Sequence, residues 1–275
     1  MAKSNTAKPV RVLVITGFGL NCERETACAF RMAGAAVEQV HLNDLLDGRR
    51  ALQDFHILAF IGGFSFGDHL GAGTVFANRL KYRLSQPLRQ FIGAGRLVIG
   101  ICNGFQTLTR LGLVPALDGL TFEPEVALAE NARGVFRDDW VLLKINADSP
   151  CVFTREMDYL PVPVRHGEGR FVARDDRVLE QVESGGLVVA RYADPETGEA
   201  AEAFPHNPNG SMNAIAGICD RSGRVFGLMP HPEAYLSPYN HPHWTRQRLN
   251  GCLPEQGLGV QIFENGVRHA RDYIV

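Results

Sequence analysis

The sequence predicts an α/β fold, a central mostly parallel sheet flanked by helices with additional β-structure in the second half. Three observations carry this. Short apolar, β-branched runs alternate with helix-length stretches up to Leu111, the signature of strands joined by helical crossovers. One of those runs, Leu97–Ile101, ends in a cysteine that opens a helix-like pattern at Asn103. After Leu111 the elements shorten to strands, punctuated by Gly-Gly, Asp-Pro and Asn-Pro-Asn-Gly turn signals.

Taken in order, Met1–Pro9 is polar and lysine-bearing without the apolar centre of a signal peptide, so residues 1–10 read as a disordered lead-in. Residues 11–275 read as a single domain, with no linker and no internal repeat. Arg11–Thr16 is the first strand. Asn21 is placed to cap the helix that follows, with Glu23 and Glu25 in its first turn and apolar positions near Ala27, Phe30 and Met32. Val37–Val40 and His56–Ile61 are further parallel strands, with a helix near Asp47–Gln53 between them. Tyr82–Gly93 is helical and Leu97–Ile101 is the next strand. Reactive loops of such sheets gather at the carboxyl ends of the strands, where Cys102 falls. Beyond Leu111, Thr121–Ala129, Trp140–Ile145, Leu160–Val164, Leu187–Tyr192 and Ala214–Leu228 read as strands. His241–Leu249 and Gln256–Tyr273 form a helical extension over residues 234–275, broken at Leu253-Pro254 and expected to pack on the sheet.

Composition narrows the function. A chain of 275 residues with 45% hydrophobic and 21% charged side chains is ordinary for a soluble protein with one sizeable core. The net charge of −2 and the lack of a basic stripe give nucleic-acid binding no electrostatic support. No apolar run reaches the roughly 18 residues of a membrane span. The six cysteines contain no C-x-x-C pair, which fits reduced thiols in the cytoplasm.

Two segments carry chemistry. In Gly100-Ile-Cys-Asn-Gly-Phe-Gln106, a strand-to-helix elbow exposes the Cys102 sulfur and aims a helix N-terminus at it, which favours the thiolate. In Met229-Pro-His-Pro-Glu233, the prolines bias the preceding residues toward extended geometry, so Glu233 lies on the same side as His231. Nucleophile, base and orienting carboxylate make a Cys-His-Glu triad suited to covalent amide hydrolysis. The Asn103 N–H follows the elbow directly and is one oxyanion donor. Cys22, Cys28 and Cys219 read as structural. His241-Pro-His243 has no supporting carboxylate or cysteine, and no metal is expected. Gly17-Phe-Gly19 lacks the third glycine of a dinucleotide fingerprint, and no P-loop occurs.

With these blocks in order, the chain resembles class I, triad-type glutamine amidotransferases. More narrowly it resembles the glutaminase subunit of phosphoribosylformylglycinamidine synthase. The further matching blocks are Gly19–Glu25, Gly62–Asp68, His166–Arg170 and Asn207–Gly217. The resemblance implies a flavodoxin-like fold and hydrolysis of L-glutamine to glutamate and ammonia. It implies Gly63 as the second oxyanion donor and Gln106, His166, Gly167, Glu168 and Asn213 as substrate-binding residues. It also implies a large synthetase subunit (PurL-like) holding ATP and Mg, leaves room for a small bridging subunit (PurS-like), and requires no cofactor on this chain. Three departures bear on partner contact: Ala234 and Asp139, where arginines are common, and the loosely matching loop Asn131–Phe136. The rival readings are a cysteine hydrolase of the PfpI kind, disfavoured because Asn103 and not a histidine follows Cys102, and a docking or regulatory subunit with a silent site.

Overall fold

The strands of the first half fall at the short apolar, β-branched runs of the sequence. The computed structural model describes residues 8–275, so most of the expected lead-in over 1–10 lies outside the described residues. Strands β1 (Arg11–Thr16), β2 (Ala36–His41), β3 (Ile57–Phe60), β4 (Leu97–Ile101) and β11 (Val225–Leu228) form a parallel array in the order β2-β1-β3-β4-β11. This is the doubly wound order of flavodoxin-like proteins. All residues of β3, β4 and β11 are buried, which is why they read as unbroken apolar runs.

The β-structure of the second half extends the same sheet. Strands β10 (Ile215–Cys219), β9 (Val188–Ala193), β6 (Arg137–Ile145) and β7 (Tyr159–His166) add to β11 with antiparallel pairing, giving nine strands in all. Strands β5 (Val126–Glu130) and β8 (Glu168–Ala173) form a separate two-stranded ribbon.

Several local expectations shift. Helix α1 spans Glu23–Met32, but Cys22 and not Asn21 holds the cap position, and no side chain caps it. Asn21 instead donates its backbone N–H to the Gly62 carbonyl (3.2 Å), tying the loop after β1 to the loop after β3. The helix expected near Asp47–Gln53 lies earlier, as α2 (Leu42–Leu46), because the His41 ring accepts from the Asn43 N–H and starts the turn there. Only Leu52–Asp54 of the expected segment is helical, as a 3-10 turn. Helix α3 spans Thr74–Gly93, starting before Tyr82, since Phe76, Ala77 and Leu80 continue its buried stripe. The stretch 214–228 is two strands joined at Asp220–Arg224, and the ribbon strand β5 starts only at Val126. Strand β8 and helix α5 (Asp176–Ser184, capped by the Asp175 carboxylate) were not evident from periodicity.

In the tail, α7 (Val260–Tyr273) buries Ile262, Phe263 and Val267, and Phe263 meets Phe30 of α1 edge-on at 4.9 Å. Asn265 donates to the carbonyls of Phe153 and Arg155 (3.1 and 2.8 Å). Helix α6 (Trp244–Leu249) has no buried residue and does not pack on the sheet as expected.

Helix α4 (Asn103–Arg110) is the element that aims the site. Every residue from Asn103 to Thr109 is buried, and Gly104 lies so close to β3 that a Cβ would overlap the Phe60 carbonyl. Gly104→Ala is therefore expected to destabilise the protein by about 3 kcal/mol or more, as strained overpacking does. In a chain of this size that lowers Tm by roughly 5–10 °C, readable by calorimetry. An unchanged Tm would remove the close approach as an explanation for this glycine.

Candidate active site

Parallel pairing of β4 with β11 decides where the chemistry meets. The register sets Ile101 opposite Leu228, so the next residues of both strands leave the same sheet edge side by side. The Cys102 N–H donates to the Leu228 carbonyl (2.9 Å), and the His231 N–H to the Pro163 carbonyl of β7 (2.8 Å). Two residues distant by well over a hundred positions become neighbours through one strand pairing.

Cys102 sits at φ +52°, ψ −108°. A side chain held in that region costs roughly 1–3 kcal/mol and persists only where the surroundings enforce it, as at a nucleophile elbow. The thiol is buried, 4% exposed, and donates a long hydrogen bond to the Arg165 carbonyl (3.7 Å). The Asn103 N–H begins α4 and has no carbonyl partner within the helix.

His231 and Glu233 are both buried, and Nδ1 lies 2.6 Å from the Glu233 Oε1. The contact is the expected one, but Glu233 belongs to a 3-10 turn over Pro232–Ala234, not to an extended strand. Burial alone would push the His231 pKa down. The Glu233 carboxylate and the Cys102 and Cys22 thiols outweigh it and hold the imidazole well above the ordinary histidine value.

Gly62 and Gly63 form the facing wall. The Gly63 φ of +139° and its contact with Leu20, Gly19 and Asn21 leave no room for a Cβ. Asn21 bonds to the Gly62 carbonyl and the Phe64 N–H to the Gly19 carbonyl, while the Gly63 N–H makes no backbone hydrogen bond. A side chain at Gly62 would come within 2.8 Å of the His231 Cε1 and 3.0 Å of the Cys22 sulfur.

The remaining expected residues divide. Gln106 is buried with both ends of its amide engaged: Oε1 accepts from Asn103 (2.9 Å) and Nε2 donates to the Glu168 carbonyl (2.6 Å). It braces α4 against β8. The Glu168 carboxylate accepts from the Ala72 N–H (3.0 Å), and the Gly167 carbonyl accepts from the Asn131 N–H (2.9 Å). His166 is buried next to the His231 charge. Desolvation first, and that charge second, push its pKa down to about 3, so the ring is neutral. Its Nδ1 contacts the Asn131 Oδ1 (3.1 Å), and since the Asn131 Nδ2 donates to the Val135 and His166 carbonyls, Nδ1 carries the proton. Asn213 is not brought to this cluster. It is exposed and its amide donates to Glu183 of α5 (2.9 Å), because Asn207, Asn209 and Ser211 are the buried members of that loop.

Sequence reasoning missed Cys22, which is not merely structural but lies against His231 and Glu233, and Asn131, which fixes the His166 tautomer. The position of Cys22 beyond the carboxyl end of β1 was the available signal. Among the described residues, Cys22, His231 and Glu233 are the one group of three potential metal ligands close together. His241 and His243 instead join an aromatic cluster with Trp140 and Tyr235. No helix among the described residues is long and apolar enough to cross a membrane.

The CobB/CobQ-like glutamine amidotransferase domain model matches residues 9–270 of this chain. The chain is 42% identical over 266 residues to the phosphoribosylformylglycinamidine synthase subunit PurQ of Methanococcus maripaludis, covering 94% of this chain and 97% of the relative. It is likewise 42% identical over 264 residues to the subunit of the same name from Dehalococcoides mccartyi, covering 95% and 98%. Among solved structures, a chain of PurLQS from Thermotoga maritima superposes with a TM-score of 0.69 at 29% identity, covering 95% of this chain and 99% of that one.

Proposed function

Because the chain belongs to the CobB/CobQ-like glutamine amidotransferase family, we propose that it is the glutaminase subunit of a phosphoribosylformylglycinamidine synthase and that Cys102, His231 and Glu233 do its chemistry. The Cys102 sulfur attacks the side-chain carboxamide of L-glutamine, and the C–N bond breaks as His231 protonates the departing ammonia. The γ-glutamyl thioester is then hydrolysed by water that His231 deprotonates, releasing glutamate and the free thiol. Glu233 holds the Nδ1–H tautomer and stabilises the cation. The N–H groups of Gly63 and Asn103 receive the oxyanion, each worth about 2.7–4 kcal/mol of barrier. Neutral His166, Gly167 and Glu168 face the glutamine, with Gln106 bracing them from behind.

The single observation carrying this reading is the meeting of Cys102 with the His231–Glu233 pair at one sheet edge. The ammonia passes to a synthetase partner, in keeping with the relatives' names, where ATP and Mg belong; a small bridging subunit completes the assembly. Exposed Phe64, Leu70, Val135 and Phe136 near the glycine wall supply apolar surface for that contact. Six free thiols fit a cytoplasmic setting, and the continuous sheet supports one domain over 11–275.

Mass spectrometry after treatment with a glutamine-mimicking electrophile tests the assignment. One adduct on Cys102, suppressed by excess glutamine, is expected. Equal labelling of Cys28 and Cys252, both exposed, with no protection by glutamine would contradict it.

A further inference from the structure

Asn131 follows β5 directly and is only 3% exposed. Its Nδ2 donates to the carbonyls of Val135 (2.8 Å) and His166 (2.9 Å), and its backbone N–H donates to the Gly167 carbonyl (2.9 Å). Its Oδ1 lies 3.1 Å from the His166 Nδ1. One asparagine thus grips two consecutive residues, His166 and Gly167, from backbone and side chain alike. The chain on either side of them reaches the chemistry. The Arg165 carbonyl accepts from the Cys102 thiol (3.7 Å), and the Glu168 carbonyl accepts from Gln106 of α4 (2.6 Å). The His166 ring lies against Gly169, where a Cβ would overlap it.

The amide orientation is not free to reverse, because an oxygen in the place of Nδ2 would face two carbonyl oxygens. Oδ1 therefore faces the ring, Nδ1 carries the proton, and Nε2 is left with a lone pair. That nitrogen is buried and has no hydrogen-bond partner. Buried acceptors without a donor are uncommon and costly, and each calls for an explanation. Protonation does not use up this lone pair near neutral pH, since burial and the neighbouring His231 charge keep the ring neutral. We propose that Asn131 is a positioning residue for glutamine binding, and that the His166 Nε2 it prepares accepts an N–H of the bound glutamine.

Glutamine brings N–H donors at both ends, on its ammonium group and on its carboxamide, so a buried neutral acceptor is complementary to it. Asn131 acts only through His166. Without its Oδ1 the imidazole is free to place its proton on Nε2, where it would confront the substrate's own N–H groups. The interaction holds substrate in the ground state and the transition state alike, so its loss falls on KM and spares kcat. The role rests on the glutaminase reading and specifies how that site takes its substrate.

Asn131→Ala is expected to raise the KM for glutamine by about 10- to 100-fold, as loss of a hydrogen bond from a buried group implies. Its kcat is expected to stay within about threefold of wild type. Nitrogen NMR of the full chain with labelled histidine reads the tautomer directly. Wild type is expected to show His166 protonated on Nδ1 alone, and Asn131→Ala a mixture of both tautomers. A fall in kcat at unchanged KM, or an unchanged tautomer in Asn131→Ala, would overturn the positioning role. If that variant does not fold, Cys102→Ala carries the test, since it binds glutamine without consuming it. On addition of glutamine its His166 Nε2 resonance is expected to move upfield, as an accepted hydrogen bond requires. Glutamine binding by calorimetry with that resonance unmoved would overturn the acceptor role and leave the glutaminase reading intact. No glutamine binding at all, with Nδ1 still protonated, would count against the glutaminase reading and remove the acceptor role with it.

Discussion

Cys102→Ala is expected to reduce glutamine hydrolysis by about 10⁴-fold or more while the protein stays folded. Removing a nucleophile leaves only what the oxyanion donors and substrate binding contribute, and triads behave as units whose single losses nearly equal the whole. The fold tolerates the change because only a sulfur is deleted. The strained φ of +52° is enforced by the elbow whichever small side chain occupies it. Position 102, only 4% exposed in the wild type, follows an entirely buried strand that holds it in place. Ammonia release from glutamine, measured beside the melting temperature, checks both halves. Turnover within tenfold of wild type would exclude Cys102 as the nucleophile.

Glu233→Gln is expected to cost about 10²- to 10⁴-fold in kcat, in line with the wrong-tautomer effect in comparable triads. The carboxylate accepts from Nδ1 at 2.6 Å in a site where both groups are almost fully buried. An amide of the same shape presents either an NH₂ group, which drives the proton to Nε2, or an uncharged oxygen, which no longer supports the cation. Glu233 is among the groups that hold the His231 pKa up against desolvation. Its neutralisation therefore moves the imidazole midpoint to lower pH, and the cationic form is lost as pH rises through that lower value. An NMR titration of the His231 ring reads the shift directly. A midpoint unchanged or raised in the variant would refute the electrostatic role, whatever the activity.

What could be read in advance was local. Leu97–Ile101 is an apolar run followed by a cysteine and a helix-forming pattern, and the strand and the α4 start fall at those residues because burial on both faces and helix periodicity act over a few positions. The His231–Glu233 contact is local too, set by two residues and a proline between them, although a 3-10 turn and not an extended chain delivers it. Misplaced elements had competing signals. Asn21 looks like a helix cap, but its backbone is engaged across the loop with Gly62. The Asn207–Gly217 block points to the site as a whole, while its buried polar side chains are Asn207, Asn209 and Ser211, and exposed Asn213 bonds to Glu183.

The sequence by itself determined the strand–elbow–helix that presents Cys102, the pairing of a base with its carboxylate, and the family to which the chain belongs. Each rests on neighbours in the chain or on ordered blocks along it. Only the tertiary structure decided that β11 lies beside β4 in a register ending at Leu228 and Ile101, that the antiparallel strands continue the same sheet, and that Cys22 arrives at the imidazole from a loop far away in the chain. Strand partnership is a long-range choice made by whole-core burial, and no short-range preference encodes which edge a given apolar run will join.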